Sequence, residues 1–149
     1  MKLPSSCVNQ ALSTQDVPVW LIETVECCAG SAFQLVFESA EPRWHQGVWL
    51  GVEGQLEVAG QTSPQAVLWR DTAPPSVEIV VRSSEDGLLR LYNVWDSGRG
   101  YGRESQAATS GMLRETTTDG LRYRCSDIRP SPTFEALVFR LDRLEQTPK

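Results

Sequence analysis

At 149 residues the chain has the length of one ordinary domain, with 40% hydrophobic and 22% charged residues. That composition excludes intrinsic disorder, and the length buries a sizeable core without a metal or disulfide staple. The net charge of -5 disfavours nucleic-acid or anionic-membrane binding through bulk charge. No apolar run approaches the roughly 20 residues that span a bilayer, and residues 1–15 lack the apolar stretch of a secretory signal.

The charge is uneven. Residues 1–80 hold three basic side chains (Lys2, Arg43, Arg70) against nine acidic ones, and residues 81–149 hold eleven against ten. Arginine dominates the basic set, and it makes planar, bidentate contacts that lysine cannot. The cysteines are Cys7, Cys27, Cys28 and Cys125. Their spacing lacks a C-x-x-C motif, which excludes a zinc ribbon or thioredoxin site. Reduced thiols in a cytoplasmic protein are the expectation.

In chain order, residues 1–6 read as a loose polar end and residues 7–14 as a short helix. Residues 17–26 are rich in β-branched side chains. Residues 32–38 alternate Phe33, Leu35 and Phe37 with Gln34, Val36 and Glu38, a period of two that defines a strand. Residues 47–59 read as a hairpin turning at Glu53-Gly54. Residues 65–70 form a short strand that ends at Asp71 and the Pro74-Pro75 break.

Residues 77–95 read as a hairpin turning at Asp86-Gly87, a dipeptide suited to positive φ. A two-residue loop there places Val81 opposite Tyr92 and Ile79 opposite Val94. Both faces carry apolar residues, so a covered, central position is expected. Residues 111–125 repeat the pattern at Asp119-Gly120, which sets Glu115 opposite Arg124 and Thr116 opposite Tyr123. Residues 134–144 form a last strand with Leu137, Phe139 and Leu141 on one face, and residues 146–149 a second loose end. The sum is one all-β domain of about nine antiparallel strands with little helix, a β-sandwich, jelly roll or β-barrel.

Chemistry-bearing residues are few. His45 is the only histidine, so sites needing two are excluded. It reads as an exposed or hydrogen-bonded loop residue. Asp71 and Asp96 each follow a strand ending in tryptophan, so a shared rim would offer paired carboxylates for hydrolysis. Five tryptophans (Trp20, Trp44, Trp49, Trp69, Trp95) either fill the core, at up to about 250 Å² each, or line a ligand platform. Trp44 and Trp95, beside polar loops, are the platform candidates, with Asn93 and Asp96 to fix hydroxyls. In residues 96–105 three alternating glycines flank Arg99, Tyr101 and Arg103, a loop able to approach a ligand closely. No helix follows and no Gly-Lys-Ser/Thr is present, which excludes a P-loop.

The leading expectation is a non-catalytic cytoplasmic binding module that recognises a protein partner, in one version as an inhibitor or immunity-type protein covering a basic site. A small-molecule or carbohydrate-binding domain is the alternative, and a hydrolase acting through Asp71 and Asp96 the second. The binding candidates are Trp44, Asp71, Asn93, Trp95, Asp96, Arg99, Tyr101 and Arg103. No cofactor or metal is expected, nor a nucleic-acid or membrane partner. A homodimer is compatible with the pattern.

Overall fold

A computed structural model describes residues 7–144; the readings of residues 1–6 and 146–149 as loose ends lie outside them. The strands are β1 (Cys7–Val8), β2 (Trp20–Glu26), β3 (Ala32–Ala40), β4 (His45–Val58), β5 (Gln61–Trp69), β6 (Ser76–Asp96), β7 (Gly111–Thr116), β8 (Gly120–Ser126) and β9 (Leu137–Leu144). No helix occurs among the described residues. Residues 7–14 form β1 and a turn, because Cys7 and Val8 pair with β2. Six strands close a barrel in the order β2-β7-β8-β9-β3-β6, with β6 returning to β2. Strand β4 joins the other side of β6 and carries β5 at the edge. All the ladders are antiparallel. The choice among sandwich, jelly roll and barrel thus falls to the barrel.

Asp86-Gly87 makes no hairpin. Strand β6 runs straight through it for 21 residues. Its first part pairs with β3, from Ala32↔Val80 to Val36↔Ser76, and its second with β2, from Glu23↔Leu91 to Glu26↔Leu88. Strand β4 runs beside both parts. Val81 therefore faces Leu56, Ile79 faces Val58, Tyr92 faces Trp49 and Val94 faces Gly47. Residues 85–88 stand where β4 has only Glu53, between the pairs Gly54↔Ser84 and Val52↔Leu89. This is a bulge that bends the strand. Gly87 supplies its φ of 73°, while the Asp86 carboxylate accepts the Leu88 N–H (3.1 Å) and pairs with Arg90 (2.8 Å). Aspartate-glycine suits positive φ in a hairpin and in a bulge alike, and β4 decides between them. The expected central position holds, since β6 lies between β3 and β4.

Glu53-Gly54 is likewise no turn. Gly54 sits where a Cβ would approach the Ser83 carbonyl oxygen to 2.1 Å, so close strand packing excludes other residues. The actual hairpin turns at Ala59-Gly60, between the paired Val58 and Gln61, with φ of 53° and 79°, a type I′ loop. Edge strand β5 tolerates Pro64 because its outer N–H groups need no partner.

The hairpin of β7 and β8 forms, two residues out of the expected register. Glu115 opposes Arg122 and Thr116 opposes Leu121, because the loop spans residues 117–119 and the Thr117 N–H bonds the Gly120 carbonyl (2.9 Å). A two-residue slip keeps every side chain on its face. Glu115 still pairs with Arg124 and also with Arg122.

The barrel interior is a packed core. Phe33, Leu35, Leu91, Leu137 and Phe139 are buried in one cluster, and Tyr123 stacks on Phe139 with centroids 5.1 Å apart. One carboxylate enters this interior. Glu23, 2% exposed, shares a face with Leu91, its register partner. It accepts from the Tyr123 hydroxyl (3.0 Å) and from Arg114 (2.9 Å). Burial and the neighbouring Glu23 charge push the Tyr123 phenol far above its ordinary range, so it stays a donor. Arg114 also lies over the Trp20 ring, 5.0 Å from its centroid.

Glu23→Ala leaves a buried hydroxyl and the exposed Arg114 guanidinium without their acceptor. The expected loss is about 2–4 kcal/mol of unfolding free energy, read from urea denaturation. A loss indistinguishable from that of an exposed Glu→Ala control would remove Glu23 from its clamping role.

Candidate functional site

The strand ends at one rim bring together residues distant in sequence. Along β4, His45 is the register partner of Asp96 on β6. On the other side Gly47 opposes Trp69, and the Arg70 N–H bonds the Gln46 carbonyl (2.8 Å). The line of β5 thereby continues until Asp71 lies beside His45, whose Nδ1 contacts the Asp71 carboxylate. Asp71, His45 and Asp96 form one row across three strand lines. The strands ending in Trp69 and Trp95 are not neighbours, yet their acids do share a rim, with β4 and His45 between them.

This row borders a cavity of about 450 Å³ that Glu41, Arg43, Trp44, Gln46 and Arg70 also line. Beneath it lies a polar foundation. Gln46, 2% exposed, donates to the Asp127 carboxylate (2.9 Å). Asp127 also accepts the Arg129 N–H (3.2 Å), and Arg129 pairs with Glu41. Trp44 carries Arg43 on its ring at 4.4 Å and Arg129 at 6.0 Å. Each of these cation–π contacts adds about 0.5–1 kcal/mol.

The loop of residues 96–105 leaves the same rim through Ser97 and Gly98, which also line the cavity. It is closed at its base by paired backbone bonds between Trp95 and Glu104 (3.1 and 2.7 Å). The Glu104 carboxylate accepts from the Ser97 N–H (3.2 Å) and from Arg99 (2.6 Å). The Asp96 carboxylate accepts the Gly98 N–H (2.9 Å). Gly98, Gly100 and Gly102 all take positive φ, and Tyr101 projects 73% exposed with Arg99 5.2 Å from its centroid.

Of the residues singled out in the sequence, Trp44, Asp71 and Asp96 meet at the cavity. Arg99, Tyr101 and Arg103 lie on the adjoining loop, where Tyr101 and Arg103 are exposed. Trp95 is fully buried and Asn93 donates to the Ser126 carbonyl (3.0 Å), so both form the wall behind the rim. Sequence reasoning passed over Arg43 and Arg70 as site residues and read His45 as an ordinary loop residue. One signal for the first two existed: with Lys2 they are the only basic residues before position 81.

Among the described residues no group of three His, Cys, Asp or Glu is arranged to hold a metal ion, and no helix is long and apolar enough to cross a membrane. No disulfide joins any of the four cysteines. Burial pushes the thiols of Cys27 and Cys125 up, which keeps them protonated and poor nucleophiles. No family model matches the chain, and neither the curated proteins nor the solved structures searched give a match.

Partial desolvation acts to raise the Glu104 carboxyl, but its bonds to Ser97 and Arg99 win and hold it below its ordinary 4.5. A depressed folded value stabilises the loop above the unfolded value, and this contribution is lost as pH falls through the folded one. The Glu104 carboxyl carbon should therefore titrate by NMR with a midpoint below 4.5, and Arg99→Ala should raise that midpoint. An unshifted midpoint in both proteins would mean that the Arg99 contact does not hold the loop.

Proposed function

We propose that the protein is a non-catalytic interaction module that recognises a protein partner through this rim. The observation that carries the reading is a pair of aromatic–arginine units, Arg43 with Trp44 and Arg99 with Tyr101, on a cavity and its adjoining loop. Tryptophan, tyrosine and arginine dominate the energetics of protein interfaces, where a rigid aromatic anchor gives up little entropy. The polar foundation holds Trp44 in place through Arg129 before a partner arrives, which lowers the cost of association.

An inhibitor or immunity-type role would ask for an acidic face. The cavity mixes Asp71 and Asp96 with Arg43 and Arg70, so the surface it fits is itself mixed in charge. A sugar stacking on Trp44 would have to displace Arg43 from the ring, which places the carbohydrate reading second. Hydrolysis through Asp71 and Asp96 draws support from the row in which His45 stands between them. Cysteines not joined by a disulfide favour a reducing, cytoplasmic setting.

A photo-crosslinker at position 101 should capture a defined partner that a crosslinker at Glu78 does not. Trp44→Ala and Tyr101→Ala should each weaken that complex about tenfold or more, equal to at least about 1.4 kcal/mol. Capture from position 78 alone, or unchanged affinity in both variants, would reject the rim as the interface. Turnover of an ester or glycoside panel that Asp71→Asn and Asp96→Asn abolish would replace binding by hydrolysis.

A further inference from the structure

Arginine pairing in this protein follows a pattern with two exceptions at one place. Among the described residues, eight of the twelve arginines lie within ion-pair distance of a carboxylate. Of the other four, Arg143 donates to the Glu26 carbonyl (2.6 Å) and Arg103 is exposed on the loop of residues 96–105. The remaining two, Arg43 and Arg70, line the same cavity. The carboxylates around them are engaged elsewhere: Glu41 with Arg129, Asp71 with His45, and Asp96 with the Gly98 N–H.

We propose that this cavity seats an oxyanion, a carboxylate or phosphate carried by a side chain of the partner, between Arg43 and Arg70, with His45 as a further donor when protonated. The proposal rests on the rim being the partner-binding surface. Guanidinium groups are planar forks that match two oxygens of such an anion at once, and charge-assisted bonds of this kind are about twice as strong as neutral ones. Asp96, on the far side of His45, repels a bare anion. It therefore favours a ligand that brings a hydrogen-bond donor beside its oxyanion, as the backbone N–H next to an acidic or phosphorylated side chain does.

His45 adds a donor to the site in its imidazolium form. Asp71 occupies Nδ1, and no described residue is bonded to Nε2. The charged groups that line the cavity with the imidazole are Glu41, Arg43, Arg70, Asp71 and Asp96. An oxyanion seated in the cavity can accept from Nε2 of the imidazolium.

The test is an NMR titration of the arginine Nε–H resonances with four probes: inorganic phosphate, acetate, N-acetyl-phosphoserine amide and N-acetyl-glutamate amide. Saturable shifts of Arg43 and Arg70 with a capped amino acid, tighter than with its bare anion, are the expected result. Arg43→Gln and Arg70→Gln, both at exposed positions, should each weaken binding about tenfold. Static Arg43 and Arg70 resonances with every probe would overturn the proposal, as would binding that both substitutions leave unchanged. If inorganic phosphate binds as tightly as the capped residues, the oxyanion comes from a free small molecule and the partner-side-chain assignment falls. Crosslinking of a partner at position 101 that survives both arginine substitutions would reject the oxyanion seat while leaving the interaction reading intact.

Discussion

Strands β2 and β7 meet through one residue pair, Trp20 and Met112, and the closure of the barrel depends on what reinforces that seam. Glu23 supplies the reinforcement. Its carboxylate leaves β2, takes the Tyr123 hydroxyl from β8 and the Arg114 guanidinium from β7, and so ties three strands where the backbone ladder is shortest. A buried carboxylate is tolerated only when its partners compensate its lost hydration. Here a phenol that burial keeps protonated and a cation settled on the Trp20 ring do so. The hydrophobic cluster of the core packs apolar side chains and the stacked rings of Tyr123 and Phe139.

With the barrel closed, β6 organises the rest. Its bulge at residues 85–88 lets one strand serve β3 and then β2, while β4 follows along its other side. That shared track delivers the start of β4 and the end of β6 to the same rim, and β5 follows β4 there. Asp71, His45 and Asp96 fall into one row for this reason alone. The polar foundation of Gln46, Asp127, Arg129 and Glu41 then holds Trp44 at the edge of the cavity. Side chains pack the barrel interior, and the rim carries the cavity.

Local signals in the sequence were legible where local physics decides. The alternation around Phe33 and Leu35 and that of Leu137, Phe139 and Leu141 both correspond to buried faces. The hairpin of β7 and β8 was visible, and the two-residue slip preserved its faces because side-chain alternation has a period of two. Asp86-Gly87 and Glu53-Gly54 were misread for one common reason. Glycine marks a backbone that must turn, bulge or pass close to another strand, and the dipeptide does not say which. Ala59-Gly60 escaped notice because alanine seldom adopts the left-handed φ that this turn imposes.

The sequence by itself determined an all-β chain: its two-residue periodicity, its glycine and proline punctuation and its lack of a long amphipathic stretch are properties of neighbouring residues. It also determined the chemistry on offer, with one histidine, abundant arginine and two acids following tryptophan-ended strands. Only the tertiary structure decided that six strands close, that two apparent hairpins are single bent strands, and that Arg43, His45, Arg70 and Asp96 share one cavity. Strand pairing and register join residues far apart in the chain, and the free energy that selects them comes from burial and cross-strand contacts that exist only once the sheet has closed.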